Sequence, residues 1–540
     1  MSIFEQFRKT AEKNPDNSFL HIPPQATSAY GGKLVEYTYR QALESIEELT
    51  KRYQDAGYGM GHRVAVVFDN RAEFFLHFQA LNKLGISVVP VNSSFQSDEM
   101  AYVIQHSDAC LVVALSVHMD NVKKALEIIS VPPALIDSDS MDSVPSANVP
   151  CLNEQISTDT EAAVLYTSGT TGEPKGCMLS NDYFICLGQW YCDITGYCAL
   201  EYGKERMLTP LPLVHMNPLC TMMAMIMSAG CIIQLDRFHA SSWWATVRES
   251  KATCLHYLGV IPAILLNLPE TDEDNVGAQV KFGFGAGVDP KHYERFEERF
   301  GFHLVEGWAM TESGTHVSIT THEEPRHIGT RCIGKPLNKI EYRLVDESGN
   351  DVEEHEPGEL LIRSAGDDPR KGFFSGYYKN QKATEESWEG GYFHTGDIIR
   401  TSEDGSFHFV DRRKNIIRRS GENIAAVEVE NILFQSSDVA NCAVTPVYDE
   451  MRGEEVAACV VLAKQTESST AHAEKLFSFC QDKLVYYKTP AYFLFLEELP
   501  MTSSQKIQRG VIKKLAAELV ENSDCIDLRH MKKPASSKGA

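Results

Sequence analysis

Residues Ala162 to Asn181 read AAVLYTSGTTGEPKGCMLSN. The run opens apolar, with Ala162, Ala163, Val164 and Leu165. It then empties into hydroxyls and glycines: Thr167, Ser168, Gly169, Thr170, Thr171 and Gly172, followed by Glu173, Pro174, Lys175 and Gly176. An apolar run that gives way to such residues predicts a buried strand ending in a tight loop. Glycines let backbone N–H groups turn toward an anion, and hydroxyls and a lysine add donors, so the loop suits a polyphosphate. It is not a Walker A loop, which needs G-x-x-x-x-G-K-[ST]. The fifth residue after Gly169 is Pro174, and after Gly172 it is Cys177. Alone, the stretch reads equally well as a surface turn.

Upstream, strand and helix patterns alternate. Arg63 to Phe68, Ile86 to Pro90 and Cys110 to Ala114 are strand-like, while Glu73 to Leu84 and Met100 to Gln105 have helical spacing. Such alternation predicts a parallel, doubly wound sheet. Residues 1–60 read as helical with a short strand-rich insert near Leu34 to Tyr39, and 136–160 as a polar connection. A second strand–helix series runs from Arg206 to about Arg326. It includes Cys254 to Leu258, then the small residues Gly285, Ala286 and Gly287, where something can approach the backbone closely, then Glu306, Gly307, Trp308, Thr311 and Glu312. From Arg331 short alternating strands with glycine turns predict a small β unit. The last portion, from Val427 to about Leu519, predicts an α+β domain with helices over Val427 to Gln435 and Ala473 to Leu484; the tail from Glu521 reads as disordered. The fold class is therefore α/β: a large N-terminal portion of doubly wound sheets plus a small β unit, followed by a separate α+β domain.

The chain has 540 residues, too many for one core. Its formal net charge of −23 argues against nucleic acid or an anionic membrane as a partner, though a nucleotide site needs only local donors. Fourteen cysteines without zinc-like spacing fit a reducing, cytoplasmic setting. The N-terminus has no signal-peptide core. Leu211 to Leu235 is long and apolar, but His215, Asn217 and two prolines interrupt it; it reads as a loop, a buried Met-rich helix from about Leu219 and a strand, not a transmembrane segment. A homodimer stays open.

Assembled, these pieces resemble the adenylate-forming superfamily of acyl-CoA synthetases, luciferases and peptide-synthetase adenylation domains. Tyr166 to Gly176 resembles its phosphate loop. Trp308-Ala-Met-Thr-Glu312 is similar to its Y-G-x-T-E motif, with Trp and Ala replacing Tyr and Gly. Tyr392 to Asp397 is similar to the ribose motif, Asp411 to Asn415 with Gly421 to Ile424 to the hinge motif, and Ser503 to Ile507 to the C-terminal S-G-K-I motif, with Gln for Gly. The stretch DRRKNIIRRSGEN looks most like carnitine/crotonobetaine-CoA ligases.

The resemblance implies a two-step ligase reaction. A carboxylate attacks the ATP α-phosphate to give an acyl-adenylate and pyrophosphate; CoA then displaces AMP. It implies ATP, Mg²⁺ and CoA as cofactors. Thr167, Ser168, Gly169, Thr170, Thr171, Gly172 and Lys175 would hold phosphates. Glu312 would take the magnesium, with Thr311 near the α-phosphate. Gly285, Ala286, Gly287, Glu306, Gly307 and Trp308 would wall the adenine, though Trp308 also suits a core. Asp397 would accept the ribose hydroxyls with Arg412 nearby, and Lys506 would contact carboxylate and α-phosphate. Lys414 would lie in a hinge at 411–414, joining a large N-terminal adenylation domain over 1–410 to a small, mobile C-terminal domain over 415–520. His215 would gate the acyl pocket or be a hydrogen-bonded core histidine. Arg418 and Arg419 would contact CoA phosphates or form a solvated patch. An apolar-walled pocket admits a fatty or aryl acid, whereas aromatics with acids would hold a quaternary ammonium. The implied alternatives are loading of a carrier protein, a luciferase-like oxygenase, and a nucleotide-sensing scaffold.

Overall fold

The structure is a computed structural model that describes residues 1–26, 32–141, 143–167, 174–419, 422–450, 452–463, 468–484, 486–501 and 506–532; the side chains of Lys414 and Asn423 also lie outside the description. By its internal contacts the chain divides into two compact units. One holds Met1–Tyr342, Ile362–His394 and Asp404–Phe407; the other holds Arg343–Leu361, Thr395–Glu403 and His408–Ala540.

Two sheets, parallel at their centres with antiparallel strands at their edges, organise the first unit. The first has the strand order Gly376–Tyr377, Lys175–Ser180, Glu161–Thr167, Ser87–Pro90, Arg63–Val67, Leu111–Ala114, Ala134–Asp137. Glu161–Thr167 lies parallel to Ser87–Pro90, and the next three strands continue in parallel. Their Val, Ile and Ala side chains are buried on both faces, as a sheet covered by helices requires. The opening stretch is the expected buried strand, and it also has a partner that its sequence does not announce. Lys175–Ser180 turns back antiparallel, placing Thr167 opposite Lys175 and Tyr166 opposite Gly176. A side chain at Gly176 would meet Val164 Cγ1 at 2.9 Å, so the hairpin closes only around a glycine. Ser168 to Glu173 lie outside the described residues.

The second sheet runs Gly314–Thr320, His303–Met310, Phe282–Gly285, Cys254–His256, Arg206–Thr209, Cys231–Gln234, Ser18–Ile22, Val35–Thr38. Here the N-terminal 60 residues depart from the helical expectation. Ser18–Ile22 is a strand, parallel to Cys231–Gln234 with Leu20 opposite Ile232. Two helices flank it, Ile3–Lys13 and Tyr39–Asp55, each opened by a capping box, Ser2 with Glu5 and Thr38 with Gln41. Ala134–Asp137, which runs into the start of the polar connection expected at 136–160, is likewise a strand.

The apolar segment Leu211 to Leu235 forms a helix, Met216–Ser228, and the strand Cys231–Gln234. The helix starts three residues before Leu219. His215 stands extended before it, and Pro218 falls in the first turn, where a missing N–H costs nothing. Among the described residues no helix is long and apolar enough to cross a membrane.

A third sheet orders Cys332–Gly334, Phe407–Arg412, Phe393–Thr401, Gly358–Ser364, Ile340–Val345, and the chain passes from one unit to the other within its strands. The second unit is built on the long hairpin Val439–Asp449 and Gly453–Leu462. Along the latter strand Val456, Ala458 and Val460 join one core with Leu476 and Phe477, while Ala457 and Cys459 join another with Leu494 and Ile512. This period-two alternation buries both faces. Helices Ala426–Leu433 and Thr470–Gln481 match the expected pair within a few residues, and a third, Arg509–Glu521, follows. The chain stays folded past Glu521, where the sequence suggests a disordered tail. Ile526–Asp527 pairs with Tyr492–Phe495, Leu528 is buried, and Lys532 is buried against Glu455. Residues 533–540 lie outside the described residues.

Candidate active site

In the first unit the hairpin presents Thr167 and Lys175 side by side across its strands. The Lys175 ammonium lies 4.8 Å from the centroid of the Tyr377 ring. Tyr377 sits on the short strand that extends this sheet, opposite Cys177, and its hydroxyl donates to Glu312 Oε1 at 2.9 Å. Burial, and then the Glu312 carboxylate, raise the phenol's pKa, so it stays a donor. Glu312 itself is 9% exposed. Its carbonyl accepts from Phe374 N at 2.8 Å, and the carbonyl of Thr311 accepts from the Tyr183 hydroxyl at 2.8 Å. The turn that carries Thr311 and Glu312 is thus pinned from three elements, and Lys175 and Glu312 come together on one tyrosine.

The glycine cluster ends two neighbouring parallel strands, with Gly285 opposite Glu306. A Cβ at Gly285 would collide with the carbonyl and ring of Tyr257, and one at Gly307 with the ring of Phe284. Gly287 has φ +81° and no heavy atom within 4 Å of where a Cβ would stand, so its backbone borders open space. Glu306 is turned to the protein. Its carboxylate accepts from Gly287 N and Val288 N, each at 2.9 Å, and from the Tyr293 hydroxyl. Burial pushes its pKa up against the pull of these donors. Glu306 therefore shapes the loop 285–288 through its own hydrogen bonds. Trp308 is 6% exposed, opposite Ile319 on the neighbouring strand. His215 is exposed at the start of its helix, so a buried core histidine is not what the fold makes of it.

In the second unit three residues from separate motifs converge. Asp397 is buried, and Arg412 Nε lies 3.1 Å from its Oδ1; the side chains are 2% and 48% exposed respectively. The segment before Asp397, within the strand Phe393–Thr401, is held by its neighbours. Thr395 Oγ1 donates to Leu360 O at 2.7 Å and accepts from Asp397 N at 3.1 Å. Gly396, at φ +68°, donates its N–H to Glu359 Oε1. Glu359 also accepts from Arg413 Nη1 at 2.7 Å. Asp411 accepts from Arg412 N, Asn415 Nδ2 and Val427 N, fixing the turn after the strand. Lys506 keeps an exposed side chain, yet protein crowding its ammonium, and next the positive charge of Arg412, pull its pKa below the ordinary lysine value. An anion placed here would meet two cations.

Two expectations are revised or fall outside. Arg419 is neither a solvated residue nor exposed to a ligand: it is 2% exposed, its Nε 2.9 and 2.8 Å from the two Glu455 oxygens, and Lys532 Nζ reaches the same carboxylate at 2.6 Å. Arg418 is exposed and pairs with Glu347 at 2.7 Å. Ser168, Gly169, Thr170, Thr171 and Gly172 lie outside the described residues, as does the Lys414 side chain, whose backbone belongs to the single turn Arg413–Asn415.

Sequence reasoning passed over Tyr377 and Tyr293, whose positions carry no local signal. It also passed over His256, which does: a histidine inside the apolar run Cys254 to Leu258 must find buried partners.

The AMP-binding enzyme family matches residues 7–378, and its C-terminal domain matches residues 428–506. The chain belongs to the AMP-binding enzymes, in the branch of AMP-forming acyl-CoA ligases. A crotonobetaine/carnitine–CoA ligase of Shigella sonnei is 30% identical over 498 residues, covering 89% of this chain and 94% of the relative; its Escherichia coli counterpart is 29% identical over the same span. Among solved structures, the o-succinylbenzoate CoA synthetase of Bacillus subtilis with its acyl-adenylate superposes with TM-score 0.79 at 24% identity, covering 94% of this chain and 97% of that one. A fatty acyl CoA synthetase of Mycobacterium tuberculosis gives 0.70 at 23%, covering 96% and 98%. These structures share the fold.

Proposed function

We propose that this AMP-binding enzyme activates a small quaternary-ammonium carboxylic acid of the carnitine type. ATP converts the acid to an acyl-adenylate with loss of pyrophosphate, and CoA then takes the acyl group with release of AMP. The observation that carries the reading is the convergence of Asp397, Arg412 and Lys506 in one unit. A buried carboxylate suits two ribose hydroxyls, and two cations suit the point where a carboxylate and an α-phosphate must meet. In step one Lys506 would neutralise the approaching anions and Arg412 would orient ribose and phosphate, while Thr311 would face the α-phosphate. Thr167 and Lys175, with the loop between them, would hold the β- and γ-phosphates as pyrophosphate leaves.

Magnesium fits Glu312 as one hard oxygen ligand held in place by Tyr377. Among the described residues no cluster of three or more His, Cys, Asp or Glu could hold a metal, so a cation at Glu312 would take its other ligands from nucleotide phosphates and water. Bound there, it would offset phosphate charge. All fourteen cysteines are free thiols, which supports a reducing, cytoplasmic compartment.

The betaine-type acid is favoured over a fatty acid by the 30% identity to a ligase of that name. A panel of carboxylic acids with ATP, Mg²⁺ and CoA, read as pyrophosphate and AMP, tests the proposal: trimethylammonium acids should turn over fastest. A preference for long-chain acids would replace the substrate class. Product on a pantetheine-bearing carrier protein but not on CoA would replace the acceptor, and ADP in place of AMP would overturn the mechanism.

A further inference from the structure

His256 closes the strand Cys254–His256 and is fully buried. Its Nδ1 lies 2.7 Å from Asn217 Oδ1 and 2.8 Å from Thr221 Oγ1, both on the helix Met216–Ser228. Its Nε2 lies 3.1 Å from the hydroxyl of Tyr191, on the helix Asn181–Asp193. An amide oxygen can only accept, so the proton sits on Nδ1 and is donated to Asn217. Nε2 is then the acceptor, and Tyr191 donates to it. Burial drives the imidazole pKa down to about 3, so the ring is neutral at physiological pH. One histidine in one tautomer therefore ties two helices to the end of a strand.

The place matters. Open α/β sheets bind ligands at the carboxyl ends of their parallel strands. His256 stands at such an end, next in register to Phe284, with ring centroids 5.7 Å apart. Phe284 in turn occupies the space beside Gly307, and Gly285 follows it directly. The network is thus continuous with the loops at 285–288 and 306–308. Asn217 is half-buried. With Oδ1 held by His256, its amide nitrogen has no protein partner among the described residues and keeps two N–H donors to offer.

We infer that His256 is a positioning residue for substrate selection: it holds the Asn217 side chain so that its amide N–H groups meet a hydrogen-bond-accepting oxygen, such as a hydroxyl, on the carboxylic acid. The uncharged ring adds no positive charge beside a cationic acid. This inference rests on the proposal that the site adenylates such an acid. Removing the acceptor from the ligand, or the aim from Asn217, should have the same consequence, because a buried donor left without a partner loses its hydrogen bonds to water as well.

The test compares carnitine with the same acid lacking its hydroxyl, using the full-length enzyme, Mg²⁺ and ATP, and reading pyrophosphate release. The unaltered enzyme should favour the hydroxylated acid by about tenfold in kcat/KM, the worth of one well-made hydrogen bond. Asn217→Leu and His256→Phe should bring that ratio to about one, through KM for the acid and with KM for ATP unchanged. His256→Gln, which keeps a donor and an acceptor, should restore part of the ratio. Should His256→Phe fail to fold, Asn217→Leu, at a half-buried helix start, carries the test. An unaltered enzyme indifferent to the hydroxyl, or an Asn217→Leu enzyme that keeps the preference, overturns the inference while leaving the ligase reading intact. A rise in KM for ATP that parallels the rise for the acid assigns His256 a purely structural role and also overturns it. No pyrophosphate with any acid overturns the ligase reading and this inference with it.

Discussion

The residues around Lys175 and Glu312 in the first unit and those around Asp397 in the second are built in opposite ways. In the first, the functional groups are held by protein partners. Glu312 is bound by Tyr377, the Thr311 carbonyl by Tyr183, and Glu306 by two backbone N–H groups and Tyr293. In the second, only Asp397 is buried; Arg412 and Lys506 keep exposed side chains and crowd each other. The difference is what electrostatics requires. Carboxylates and loops can be pre-set because their partners are neutral donors. Two like charges brought close in a low-dielectric core would discharge, so both side chains stay at the surface, with Arg412 paired to Asp397. The charges that the second unit does bury are balanced, in the Arg419–Glu455–Lys532 cluster.

This contrast can be broken by mutation. The largest effect is expected at Lys506. Lys506→Ala should lower pyrophosphate release by about 10²–10³-fold, the scale for removing one aimed charge or donor. Thioester formation from supplied acyl-AMP should stay within a few-fold. Equal loss of both steps would show that Lys506 is not specific to the first. Because crowding and Arg412 lower its pKa, Lys506 loses its proton at a lower pH than a free lysine. The first step should therefore fall on the alkaline side earlier than an ordinary lysine predicts, and Arg412→Gln should move that limb to higher pH at saturating ATP. A limb that does not move would remove Arg412 from the electrostatics of Lys506.

Next in size, Asp397→Ala should raise KM for ATP by about 10–100-fold, as loss of a buried acceptor for two hydroxyls implies, with KM for the acid little changed. An unchanged KM for ATP would remove Asp397 from the ribose site. The smallest effect is expected where the first unit is pre-set: Tyr377→Phe should raise the Mg²⁺ concentration needed for half-maximal rate by only about 3–10-fold, the worth of one hydrogen bond to a carboxylate. A loss as large as that at Lys506 would mean that the first unit's order, not its charge, limits the rate. A sharper check on the second unit's buried ion cluster is Glu455→Ala, which leaves two buried cations without their anion and should cost about 3–5 kcal/mol by denaturant unfolding. A change below about 1 kcal/mol would show that the cluster is not what holds the unit.

Much of this was open to sequence reasoning, and the limits are instructive. The strand ending at Thr167, the parallel alternation from Arg63 onward and the Met-rich helix all rest on local periodicity, and each is found in the fold. The motif residues Glu312, Asp397, Arg412 and Lys506 were recognisable by type and order. Their partners were not. Nothing near Glu312 announces Tyr377, 65 residues later. Glu306 carries the same carboxylate as Glu312, yet only packing turns it onto the loop at 287 and 288. Arg419 looked like its neighbour Arg418, but strand alternation sends the one into a buried ion cluster and leaves the other in solvent. The N-terminal strand Ser18–Ile22 shows the same limit: one of its two neighbours, Cys231–Gln234, lies more than 200 residues away.

The sequence by itself determined which chemistry this chain can do. Hydroxyls and glycines around Lys175, an acid at 312, an acid at 397 and a lysine at 506 supply the donors and acceptors that the proposed adenylation needs, because side-chain chemistry is local. Only the tertiary structure decided which of these groups are buried against protein partners and which stay at the surface. Hydrogen-bond partners and burial are set by long-range packing, and a carboxylate or a histidine acquires its state from neighbours that the sequence places tens to hundreds of residues away.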